Sequence, residues 1–163
     1  MRQRIIWRSP VAKVLAARMN CQHPAEAAQL LAKSLRHEHS ICGRVDVHDL
    51  CRRLGIRCES RKLTMDGMLM EDRGGFKVVV NSNTAWSRQR FSIAHELGHL
   101  SLFRSTQLAE AFSHTRIERQ PLDSRSSEIE RLCDVFASEL LMPDEEWLQF
   151  AFHNGVTARA FAS

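Results

Sequence analysis

The chain has 163 residues, of which 44% are hydrophobic and 26% charged, the balance of a protein that buries a core. No apolar run approaches the ~20 residues that span a bilayer, and Lys13 and Arg18 interrupt the N-terminus before it reaches signal-peptide length, so neither a membrane helix nor secretion is expected. The net charge of +4 is uneven: residues 1–60 carry eleven Lys/Arg against five Asp/Glu, and the remainder twelve against fourteen. We read this surplus as a solvated face. Cys21, Cys42, Cys51, Cys58 and Cys133 form an odd set without framework spacing, which fits reduced thiols in a cytoplasmic protein.

In chain order, residues 11–19 and 25–36 have helical spacing, the second with Leu30, Leu31 and Leu35 on one side and Pro24 at its start. Residues 45–54 predict a short helix closed by Gly55. IRCES, GMLMED and FKVVVN then predict two or three strands of a small sheet. From Ser87 a helix apolar on several sides begins, SRQRFSIAHELGHLSLF, and is therefore expected to be buried. The last clear helix, SSEIERLCDVFASELLM, ends at Pro143 and should turn Ile129, Leu132, Cys133, Phe136 and Leu140 to the core. The expected fold class is α+β: a helical N-terminal part, about three strands, and two helices that carry the chemistry. A basic segment over 1–24, a main domain over 25–148 and a tail over 149–163 with helical character complete the division.

His95-Glu96-Leu97-Gly98-His99 matches H-E-x-x-H. Residues i and i+4 lie one above the other on a helix face, so both imidazoles can reach one tetrahedral ion. Glu96 stands about 100° around the helix, where it can address a metal-bound water without ligating. A third protein ligand is needed. Glu130 and Asp134 share a face at i, i+4, which lets Glu130 ligate while Asp134 accepts a hydrogen bond from a ligating histidine. Glu128 is a rival, and Ser127 with Glu130 also reads as a capping box that would turn Glu130 onto its own helix start.

RQRFSIAHELGHL followed by EIERLCDVFASELLMP resembles the ImmA/IrrE family of bacterial metallopeptidases, and the order of the preceding segments is similar too, over about residues 25–148. The resemblance implies a gluzincin-like α+β fold with one zinc per chain, held by His95, His99 and Glu130. It implies the catalytic carboxylate at Glu96 and a supporting acceptor at Asp134. It also implies a protein substrate, a helix-turn-helix repressor or antitoxin. Two departures stand out: Cys133-Asp134 replaces the Ala-Asn pair common in relatives, leaving a thiol near the site, and Phe103 stands where relatives often carry a histidine.

Such a centre would hydrolyse a peptide bond with Glu96 as general base. The chain has no tyrosine to steady the oxyanion. His114 is the candidate we favour for that donor, with Arg116 and His153 behind it. His37, His39, Cys42, His48 and Cys51 are read as scattered side chains, not a second metal site, and Met65, Met68 and Met70 as packing. Direct DNA binding is not expected, because the connection after the 25–36 helix is long for a helix-turn-helix. The alternative to an endopeptidase is a module that holds zinc and sequesters a repressor or antitoxin without cutting it.

Overall fold

The computed structural model describes residues 7–112, 124–143 and 149. Its elements are α1 (Pro10–Arg18), α2 (Pro24–Glu38), α3 (Val47–Arg53), β1 (Arg57–Arg61), β2 (Gly67–Asp72), β3 (Gly75–Asn81), α4 (Trp86–Thr106), a 3-10 turn (Ala109–Phe112) and α5 (Ser124–Leu141). This is the mixed α+β arrangement expected, with a three-stranded sheet. Among the described residues no helix is long and apolar enough to cross a membrane.

The sheet order is β1-β3-β2. β3 is central because it is the most apolar strand: Val78, Val79 and Val80 are all buried. β2 and β3 form an antiparallel hairpin whose turn residues Arg73 and Gly74 both have positive φ, the backbone that fits a tight hairpin to the strand twist. β1 pairs with β3 in parallel, and β2 is left as the edge strand on the other side.

α4 and α5 pack against this sheet and against each other. A β-carbon added to Gly98 of α4 would lie 3.1 Å from Cys133 Cα and 3.3 Å from a Phe136 ring carbon. The missing side chain therefore lets α5 approach α4 closely at the point where Glu130 and Asp134 project. The expected inward stripe of α5 is observed, with Ile129, Leu132, Cys133, Phe136 and Leu140 all buried.

The face of α2 differs from the expectation. Ala27, Ala28 and Ala32 are buried, Leu31 and Leu35 are half-buried, and Leu30 is exposed. Small residues let α2 settle near α5, and Arg36, on the same row as Ala28 and Ala32, donates 2.8 Å hydrogen bonds to the carbonyls of Leu140 and Gly43. Met65 and Met70 are also more exposed than packing residues would be. Met70 lies on the outer strand β2, and Met65 lies in the loop before it.

Two N-termini are fastened by acids. Asp46 accepts from the amides of His48 and Asp49 and starts α3 two residues after the expected Val45. Glu128 of α5 accepts from the amides of Arg8 and Ser9, at 2.7–2.9 Å, just ahead of α1. That bond ties the start of the chain to α5, while Val11 and Leu15 of α1 enter a core with Leu102, Ile129 and Leu132.

Candidate metal centre

α4 presents His95, Glu96 and His99, and α5 presents Glu130, Cys133 and Asp134. Their side chains converge where the two helices cross. His95 Nε2 lies 3.0 Å from one Glu130 carboxylate oxygen and His99 Nε2 lies 3.3 Å from the other. Both ring nitrogens that a metal would use thus face one carboxylate.

The opposite nitrogens are occupied. His95 Nδ1 is 2.9 Å from Asp134 Oδ1, and His99 Nδ1 is 2.7 Å from the carbonyl oxygen of Ala111 in the 3-10 turn. With Nδ1–H held by these acceptors, loss of the other ring proton would leave the lone pair on Nε2, the tautomer a ligand needs. Asp134 sits where the sequence spacing put it. The Ala111 carbonyl has no sequence signature, because a backbone oxygen is contributed by every residue alike.

The three features of α5 that compete in the sequence lie in different places. Ser127 lies a turn inside the helix, so it does not head a capping box with Glu130. Glu128 is engaged with the amides before α1, about 200° around the helix from Glu130. His114, Arg116 and His153, the candidate oxyanion donors, lie outside the described residues. Phe103 packs against the core that Val11 and Leu15 of α1 share with Leu102, Ile129 and Leu132, here the second core, as its apolar ring suggests.

Glu96 is buried, one of its carboxylate oxygens has no hydrogen-bond partner among the described residues, and the amide of Leu69 on β2 reaches the carboxylate. Burial pushes its pKa up, against the pull of the two histidines. Burial also disfavours the His95 cation, but hydrogen bonds to Asp134 and Glu130 outweigh it and lift its pKa to about 10. His99 is raised in the same sense: burial opposes its cation, while the Cys133 sulfur, Glu130 and Glu96 favour it. Glu130 moves the other way, because hydrogen bonds from both rings outweigh its own desolvation. The pocket's field therefore favours positive charge at the point the Nε2 atoms face.

A divalent cation would supply that charge, and the donor set suits one: two imidazoles with fixed backs, a carboxylate between them, and an orphaned buried carboxylate oxygen alongside. Donor atoms of His95, His99 and Cys133 also lie within 4.8 Å of one another. The cluster opens into a cavity of about 270 Å³ whose other walls include Gly67, Phe91 and the exposed Asp66–Arg88 ion pair. Sequence reading missed that pair, since neither residue belongs to a spaced motif.

A family model for the IrrE N-terminal-like domain, a peptidase family, matches residues 51–163, which contain every residue of the cluster. The chain belongs to the ImmA/IrrE family. Membership in this metallopeptidase family implies a bound metal and peptide-bond hydrolysis as the family chemistry. Similar chains include the radiation response metalloprotease IrrE of Deinococcus radiodurans, 35% identical over 85 residues, and that of Deinococcus deserti, 36% identical over 85 residues. The metallopeptidase ImmA of Bacillus subtilis is 28% identical over 80 residues. These matches cover 52%, 52% and 49% of this ImmA/IrrE chain but only 25%, 29% and 43% of the relatives.

Proposed function

We propose that the protein is a zinc-dependent endopeptidase in which His95, His99 and Glu130 hold one zinc and Glu96 is the general base. The observation that carries the reading is the pair of Nε2 atoms facing the two oxygens of Glu130, each ring fastened from behind. Zinc bound there would polarise the scissile carbonyl and acidify the attacking water toward neutrality.

The chain's own residues do the rest. Glu96, with its raised pKa and unpartnered oxygen, accepts the proton of the attacking water and passes it to the leaving amine. Asp134 and the Ala111 carbonyl hold the two imidazoles in one tautomer through the cycle. β2, an outer strand of the sheet, runs beside Glu96, and an extended peptide could lie along it. The substrate is a regulatory protein, a helix-turn-helix repressor or antitoxin, in the cytoplasm; the family resemblance supports this part of the reading.

Zinc per chain, measured beside Glu130→Ala prepared identically, tests the ligand set. We expect about one zinc in the parent and clear loss in the variant; equal zinc in both would remove Glu130 from the site. Glu96→Gln tests the base. It should keep its zinc while losing cleavage of a helix-turn-helix repressor substrate by at least ~10²-fold. Full activity in that variant would sink the assignment.

A further inference from the structure

Cys133 has no part in the chemistry above, yet it is the most deeply placed polarisable group at the centre. It is fully buried, its sulfur is within hydrogen-bonding reach of the His99 ring, and its ligand atom lies within 4.8 Å of those of His95 and His99. A thiol serving only as a small core residue would sit among aliphatic neighbours. Cys133 does so on one side, toward Ile129 and the core shared with α1, but its other side faces two imidazoles.

The spacing decides between these roles. Nitrogen and sulfur donors around a tetrahedral zinc stand roughly 3.3–3.7 Å apart. The donors of His95, His99 and Cys133, within 4.8 Å of one another, are therefore about one ångström from that spacing, within reach of small side-chain rotations. The close α4–α5 approach at Gly98 holds the Cys133 backbone there, since Cys133 Cβ would be 3.3 Å from an added Gly98 Cβ. The buried Glu96 carboxylate, one oxygen of which has no partner among the described residues, lines the same cavity as His95 and Glu130.

The geometry points to Cys133 as a fourth protein donor to the metal in the substrate-free protein. This rests on the reading that the ion lies among His95, His99 and Glu130. On binding, the S–H proton leaves to solvent and the sulfur lone pair makes the new bond, so the step needs no oxidant. A thiolate in the set makes the centre selective for thiophilic divalent ions such as zinc and cobalt over manganese or magnesium.

Cobalt(II), added at one equivalent to the metal-free full chain, is the probe. Visible d–d bands report a tetrahedral site, and near-ultraviolet sulfur-to-cobalt charge transfer reports the thiolate. The expected result is both signals in the parent, with Cys133→Ser keeping the first and losing the second. Visible bands without charge transfer in the parent, or charge transfer that persists in Cys133→Ser, would overturn the inference and leave the three-ligand site standing. Failure of the parent to bind cobalt or zinc at all would overturn both. Should Cys133→Ser and Cys133→Ala fail to fold by circular dichroism, zinc-edge X-ray absorption of the parent decides. A sulfur scatterer at about 2.3 Å supports the ligand, and a shell of nitrogen and oxygen alone rejects it.

Discussion

The two imidazoles are set by what stands behind them. His95 depends on a carboxylate from another helix, and His99 on a backbone carbonyl in a 3-10 turn. Asp134→Ala should therefore weaken zinc binding by roughly 10–100-fold, without abolishing it, as seen when other supporting acceptors are removed. A competition titration with a chelating dye checks this, and unchanged affinity would mean His95 is oriented by packing alone. The pH dependence follows from the same contacts. In the metal-free protein the raised pKa of His95, about 10, contributes stability that is full below its ordinary value of 6.5 and is lost as pH rises through 10. The lowered pKa of Glu130 contributes stability above its ordinary 4.5 that is lost as pH falls toward its depressed value. Zinc must displace the histidine protons, so its affinity should climb as pH rises. The zinc-induced increase in Tm should accordingly grow between pH 6 and pH 8, and a flat difference would contradict the assignment of His95 as a ligand.

At the scale of elements, the site is a property of how α4 crosses α5. Gly98 is the contact that lets it form, because an added methyl would meet Cys133 and Phe136 at 3.1–3.3 Å. Backbone is the nearest of those atoms and cannot swing aside. Gly98→Ala should cost about 1–3 kcal/mol by overpacking, even though alanine is the better helix former. It should also push Glu130 away from the histidines, so zinc content falls with Tm; a variant as stable as the parent and fully metallated would show that the helices can give. Much of this level was legible in advance. The H-E-x-x-H run and the i, i+4 acids both obey helical periodicity, and the apolar stripe of α5 obeys it too. α2 was less legible: alanine and leucine both read as apolar, and only the closeness of α5 selects the small ones for burial and turns Leu30 outward.

For the whole molecule, the N-terminal segment is fastened to the same helix that bears the site. Glu128 holds the amides of Arg8 and Ser9, and α1 covers the second core. Glu128→Ala leaves those amides without their acceptor and should lower stability by roughly 1–3 kcal/mol. Because Glu128 points away from the histidines, zinc content should be unchanged. Thermal melts beside metal analysis would show it, and loss of zinc would mean that α1 docking and the site are coupled. The sequence by itself determined the element order, the buried character of α4, and the family, since each rests on local periodicity or on residues a few positions apart. It also put Glu130 and Asp134 on one face. Only the tertiary structure showed what Glu128 and Glu130 face, the amides before α1 and the two histidine rings, because other parts of the chain bring those partners to them. The Ala111 carbonyl, the Leu69 amide and the nearness of the Cys133 sulfur belong to that second kind. They are contacts between segments far apart in sequence, made when the helices pack, and no single segment encodes them.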